Sequence, residues 1–191
     1  MHCACREYLA VQPWWCILCA RSDDSELLRY WLSMLEASGQ IVLLELWFSN
    51  RTESIVKSPK LYLTDTGLLC ALLNIRSGGA LRQSPAVGAV RETFVFAQLR
   101  DRERRGGRTG SLFFWRDRTR EVDFVVDTGG RLELFEAKWT ELPDIGDAVN
   151  LDFVRNVVGK SRVAAGAVVC RTPNGFPLPS GFRALPVTEP R

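Results

Sequence analysis

The sequence predicts an α/β domain in the order helix, three strands, helix, strand, preceded by a helix and a hairpin. Three observations carry that expectation. From about Ala86 to about Arg104 a helical pattern sets Val90, Phe94, Val95 and Leu99 on its apolar side. Three short strand patterns follow at residues 111–116, 121–127 and 131–138, and Gly129-Gly130 is a tight hairpin signal between the last two. A helical pattern over residues 144–158 then leads into an apolar strand at residues 163–170.

The 191 residues suit one good domain, or one domain with a small appendage. Hydrophobic residues at 46% and charged residues at 25% are ordinary for a globular chain. A net charge of +3 does not by itself call for a nucleic-acid partner. Its distribution is less even: Arg100, Arg102, Arg104, Arg105, Arg108, Arg116, Arg118 and Arg120 are offset only by Asp101, Glu103 and Asp117. Such a stretch can hold phosphates through guanidinium forks, although a solvated helix end and hairpin also account for it.

His2 is the only histidine, which excludes Ser-His-Asp, Cys-His and HExxH chemistry. Cys70 in an apolar helical run and Cys170 at a strand end read as small buried hydrophobes. Cys3, Cys5, Cys16 and Cys19 have a spacing compatible with zinc, but the intervening Trp14, Trp15, Ile17 and Leu18 are unusual for a zinc knuckle. No disulfide framework is implied, and the cytoplasm is the expected compartment.

Residues 1–22 form a leader that matches no pattern. Its apolar stretch, residues 8–20, is too short to span a bilayer, is broken by Pro13 and lacks a basic n-region, so neither a membrane segment nor a signal peptide is expected. Ser22-Asp23-Asp24-Ser25 is an N-cap region for a helix carrying Leu27, Leu28, Trp31, Leu32 and Leu35, which Gly39 stops. A strand over 41–48, a turn at Ser49-Asn50-Arg51 and a strand over 60–64 follow. Helix then hairpin is what the tail of a winged helix looks like, so residues 23–76 are read as a winged-helix-like remnant and linker. Asp65-Thr66 caps a short helix through Leu73, and capping explains Asp65 fully. The Gly/Ser/Pro-containing residues 77–85 read as a boundary, and residues 86–186 as the main domain. The tail from Thr172, with five prolines, is expected to wrap or dangle.

The chemistry-bearing residues lie on the two hairpin strands. Strand periodicity sets Leu132, Leu134, Glu136 and Lys138 on one side, so Glu136 and Lys138 stand adjacent as acid and base. The hairpin brings Asp123 beside them. Two carboxylates on half-buried strands repel, and a divalent cation removes the conflict; Mg²⁺ takes one or two carboxylates plus water and phosphate oxygens. Lys138 is then placed to orient a water or stabilise developing negative charge, and Glu92, early in the first helix of the domain, adds a carboxylate. Gly159-Lys160-Ser161 echoes a phosphate-binding loop, but Val154 stands where GxxxxGK(S/T) requires glycine, and the motif follows a helix rather than preceding one.

These residues, with others, resemble a known family. Tyr30-Trp31-Leu32-Ser33-Met34-Leu35-Glu36-Ala37-Ser38-Gly39 and Lys57-Ser58-Pro59-Lys60-Leu61-Tyr62-Leu63-Thr64-Asp65-Thr66-Gly67-Leu68 look like its linker region. Gly88, Glu92, Phe94-Val95, Phe114-Trp115-Arg116, Glu121-Val122-Asp123-Phe124 and Glu136-Ala137-Lys138-Trp139 look like the rest, over roughly residues 26–186. The family is the prokaryotic predicted ATPases of the AAA superfamily, whose C-terminal part is domain of unknown function 4143 and is similar to PD-(D/E)XK nucleases. The resemblance implies a restriction-endonuclease-like αβββαβ core preceded by a partial winged-helix-like segment. It implies Mg (or Mn) on Asp123 and Glu136, catalysis by Asp123, Glu136, Lys138 and Glu92, and DNA held by Arg104, Arg105, Arg108, Arg116, Arg118 and Arg120. Arg120 stands where the family pattern has glycine. No Walker A motif is present, so neither an ATP site nor ATPase activity is expected of this chain, which reads as a truncated member acting with an ATPase in trans or as a relic. Metal-dependent DNA cleavage and non-catalytic DNA binding are both expectations of this pattern.

Overall fold

The computed structural model describes residues 25–48 and 59–188 of the chain. The leader with its cysteines, the N-cap cluster before Ser25, the turn at Ser49-Asn50-Arg51 and Lys57-Ser58 lie outside the described residues.

Helix α1 (Ser25–Ala37) ends as its glycine predicts. Gly39 takes φ 74° and donates to Glu36 O, while Gln40 N donates to Leu35 O, a paired closure that satisfies the last carbonyls of the helix. Strands β1 (Ile41–Leu44) and β2 (Lys60–Leu63) pair antiparallel, with Ile41 opposite Leu63 and Leu44 opposite Lys60. The strand read over 41–48 is divided between two partners. Beyond Leu44 the chain leaves β2: Phe114 N donates to Glu45 O, and Trp47 N donates to Phe114 O at 2.7 Å. Residues 45–47 thereby cover the outer edge of the main sheet, and Trp47 anchors there by donating from Nε1 to Asp127 Oδ2 at 2.9 Å.

Helix α2 (Thr66–Leu72) is capped by Asp65, whose Oδ1 accepts from Gly67 N and Leu68 N. The stretch read as a boundary contains a further helix, α3 (Gly78–Gln83), which Ser77 caps with its hydroxyl. Both pack on α4 (Val87–Arg105). On α4 the expected apolar side needs correction: Phe94 is 38% exposed, and Phe96, at 1%, is the core aromatic. The two stand about 200° apart around the helix, and the stripe through Val95, Phe96 and Leu99 is the one that meets the sheet.

The main sheet is mixed, in the order β3-β4-β5-β6-β8-β7. Strands β3 (Leu112–Arg116), β4 (Glu121–Asp127) and β5 (Leu132–Ala137) form an antiparallel meander. A single 3₁₀ turn (Gly146–Ala148) and α5 (Val149–Val158) then carry the chain across to β6 (Val163–Cys170), which runs parallel to β5. On one face α4 covers Phe114, Phe124, Val126, Phe135 and Val169. On the other α5 brings Leu151 and Val154 onto Val122, Val125, Leu132, Leu134 and Val168.

Over its described residues, 172–188, the proline-bearing tail does not dangle but joins the sheet. It supplies β7 (Phe176–Pro177) and β8 (Arg183–Pro186), with β8 parallel to β6 and Phe182 and Ala184 buried. Pro177 lies on the outermost strand and Pro186 ends β8, positions where a missing N–H costs little. Among the described residues no helix is long and apolar enough to cross a membrane.

Gly166 is where β6 lets the tail close on the sheet. A Cβ there would stand 2.5 Å from Phe182 Cδ1 and 3.2 Å from Leu134 O. Gly166→Ala is therefore expected to lower stability by about 1–3 kcal/mol in urea unfolding. Gly88→Ala, at an exposed helical position with nothing within 4 Å, should raise it by about 0.5–1 kcal/mol.

Candidate functional site

The pairing of β4 with β5 ends at Phe124 opposite Phe135, so the next residues outward, Asp123 and Glu136, lie where the two strands part. Against β3, β4 carries an extra residue: Phe113 faces Val125, yet Trp115 faces Val122. The bulge falls at Asp123-Phe124 and breaks strict alternation, so Val122 joins the core under α5 while Phe124 joins the core under α4. Asp123 is re-aimed by it toward Glu92 on α4 and toward the β1–β2 hairpin.

Asp123 Oδ2 accepts from Ala137 N at 3.0 Å, and its Oδ1 lies 3.3 Å from Lys60 Nζ. Glu136 is 5% exposed; its Oε1 stands 3.0 Å from Lys138 Nζ, and its Oε2 is buried with no partner. Lys138, with its side chain 36% exposed, reaches solvent from that pair. Glu92 Oε1 lies 2.8 Å from Lys60 Nζ and accepts from the Tyr62 hydroxyl. Glu121 bonds Lys60 through Oε1 at 2.5 Å and pairs with Arg116 through Oε2. The ring of Tyr62 stacks on Phe96 at 4.4 Å, which pins the hairpin against α4.

The electrostatics follow from this crowding. Burial, then repulsion from Glu92 and Glu136, holds the Asp123 carboxyl well above its ordinary range, against the pull of Lys60 and the Ala137 N–H. Burial also raises Glu136, with Lys138 opposing it in part. For Glu121 burial works the same way but Lys60 and Arg116 outweigh it, so its carboxyl is lowered. Burial disfavours the charge on Lys60, yet Glu92, Asp123 and Glu121 more than offset this and hold the ammonium firmly protonated. At Lys138 burial is likewise overcome, by Glu136 and Asp123.

Four residues named from the sequence, Glu92, Asp123, Glu136 and Lys138, thus stand at one end of the sheet. The six arginines do not stand together. Arg116, Arg118 and Arg120 are at that same end, in or beside the β3–β4 turn, with the Arg120 guanidinium 3.9 Å over the Phe153 ring. Arg104 and Arg105 end α4, twelve residues from Glu92 or about 18 Å along the helix axis. Arg108 lies with them, bonded at 2.8 Å to the buried Glu103. Lys60, Tyr62 and Glu121 complete the cluster without being marked as site residues by the sequence pattern. A strand period of two does put Lys60 and Tyr62 on one face, but nothing local says that the face meets a carboxylate cluster.

Among the described residues no three His, Cys, Asp or Glu side chains converge as a metal cage. A cation at Asp123 and Glu136 would therefore have two carboxylates and fill its shell with water and phosphate oxygens, the coordination Mg²⁺ favours. The unpartnered Glu136 Oε2, next to a carboxyl pushed toward protonation, fits such an ion.

The fold and site define an α/β domain with an acidic cluster where two central strands diverge. Residues 87–189, more than half of the chain, match the family described as Domain of unknown function (DUF4143), and the chain belongs to that family. Residues 20–78 match Domain of unknown function (DUF8612). The chain is similar to Uncharacterized protein Rv2008c of Mycobacterium tuberculosis and Uncharacterized protein Mb2031c of Mycobacterium bovis. Each is 32% identical over 162 residues, covering 84% of this chain and 35% of the relative. The chain thus spans about a third of the length of these curated relatives. No solved structure matches it.

Because the Asp123 carboxyl is raised in the fold, its ionisation opposes folding: stability is lost as pH rises through the unfolded carboxyl value, about 4, toward the folded one. Without divalent ions, Asp123→Asn should unfold at a higher urea concentration than the native chain at pH 7. The gap should narrow as pH falls below about 4.

Proposed function

We propose that this chain carries a PD-(D/E)XK nuclease-like domain that binds DNA and cleaves a phosphodiester with Mg²⁺ or Mn²⁺ held by Asp123 and Glu136. The observation that carries the reading is the buried, unpartnered Glu136 Oε2 between Asp123 and the solvent-reaching Lys138. The order helix, three strands, helix, strand around that site supports the same reading. When bound, the ion would supply a water of lowered pKa and positive charge facing the phosphate. Glu136 fixes the Lys138 ammonium by their 3.0 Å contact, and from there Lys138 donates to the negative charge that builds on the phosphate oxygens. Ala137 N–H orients Asp123. Arg118 and Arg120, beside the site, suit flanking phosphates, whereas Arg104 and Arg105 suit a second contact on the same DNA about 18 Å away.

The same pattern supports a setting in which the domain serves an AAA-superfamily ATPase, in the longer relatives or in trans. One observation favours a second reading, a DNA-binding module without cleavage: the Lys60 ammonium already bonds Asp123.

Supercoiled plasmid and single-stranded DNA, each with Mg²⁺ or Mn²⁺, test the two. The native chain is expected to nick in a metal-dependent way, and Lys138→Ala and Asp123→Asn should each lose about 100-fold or more. Nicking that survives both substitutions overturns the site. Well-folded protein that binds DNA with a steep salt dependence but never cleaves moves the conclusion to the binding module.

A further inference from the structure

An ammonium has three N–H donors, and those of Lys60 are matched by three different carboxylates. Its Nζ lies 2.5 Å from Glu121, 2.8 Å from Glu92 and 3.3 Å from Asp123, with the side chain only 8% exposed. In the ion pairs at this end of the sheet, four carboxylates (Glu92, Glu121, Asp123 and Glu136) meet three cationic side chains (Lys60, Arg116 and Lys138), with Asp147 outside the pairs as a further negative charge acting on Lys138. Arg116 is paired with Glu121 and Lys138 with Glu136, which leaves Lys60 as the cation shared by Glu92 and Asp123. With every group ionised the cluster carries one net negative charge. Without Lys60 it would carry two, the complement of a divalent ion. The uncompensated charge falls on the two carboxylates that share Lys60, Glu92 and Asp123, and Glu136 Oε2, buried and without a partner, adds a free acceptor beside them.

Lys60 also comes from a different part of the chain. It starts β2, within residues 20–78 that match DUF8612, whereas the four carboxylates lie within residues 87–189 that match DUF4143. The acidic end of the sheet is therefore completed by the hairpin.

We infer that Lys60 is a built-in counter-cation that competes with a divalent ion for Asp123, so that the hairpin gates cation entry to the site. This rests on the reading of Asp123 and Glu136 as cation ligands. When the ion enters, the ammonium must give up Asp123 Oδ1, which retains Ala137 N–H on its other oxygen. Displaced from Asp123, Lys60 keeps Glu121 as its nearest partner. The device sets the affinity of the site, because each ion bound displaces a charge already held there.

The test is Mn²⁺ binding by the full chain without DNA, followed through the electron paramagnetic resonance signal of free Mn²⁺. Lys60→Met keeps the length of the side chain and removes its charge, and it should bind Mn²⁺ at least about tenfold tighter than the native chain. Lys60→Arg should bind no tighter. A folded Lys60→Met with equal or weaker affinity overturns the inference, and a purely structural role predicts weakening. Should Lys60→Met fail to fold by circular dichroism, the native chain gives the answer: acetic anhydride should label Lys60 faster with excess Mn²⁺ than without it. An unchanged labelling rate then overturns the idea. Metal-dependent plasmid cleavage without tightening in Lys60→Met sinks this inference alone. Absence of Mn²⁺ binding by every variant, together with absence of cleavage, sinks it along with the nuclease reading.

Discussion

A lysine ammonium surrounded by carboxylates, with almost no water beside it, joins the hairpin to the sheet in this chain. The arrangement is expensive to assemble and more expensive to break. Removing water from one ammonium and several carboxylates costs several kcal/mol per ion, and attraction to the shared ammonium is what offsets it. Lys60 gives β2 its register against the sheet, since Tyr62 on the same face then lands on Phe96 and reaches Glu92. Loss of one carboxylate redistributes the others; loss of the ammonium leaves repelling acids in a dry pocket.

The bulge in β4 makes this crowding possible. Strict alternation would put Val122 and Phe124 on one face, and both cores would lose their fit. The extra residue lets each reach its own core while the carboxylate between them turns to Glu92 and Lys60. Cores and acidic cluster therefore share one local irregularity, and the strain of like charges is held by packing on both sides.

Much of this was legible in the sequence because it is local. The apolar runs of β4 and β6 and the two glycines between β4 and β5 define their elements with little outside help. Gly39 and Asp65 end and begin helices by side-chain and backbone chemistry within a few residues. What was not legible depends on partners far along the chain. β8 is a strand because β6 offers it an open edge, and Pro186 with the prolines that precede the strand disguised it. Phe94 and Phe96 are indistinguishable by composition, and only the sheet chooses between them. Asp123, Glu136 and Lys138 showed themselves through one hairpin, whereas Lys60 meets Glu92 across 32 positions and Asp123 across 63. No periodicity records such contacts.

The two lateral borders of the main sheet have a bearing on how copies of the chain meet. On one side residues 45–47 hydrogen-bond to Phe114 in the middle of β3; on the other the sheet finishes in a strand of two residues, one of them Pro177. Neither border presents a long row of free amides and carbonyls to another molecule. Stacking strand on strand is thus an unfavourable route to self-association for this sheet, and protection from fibrous aggregation is inherent in how its ends are finished.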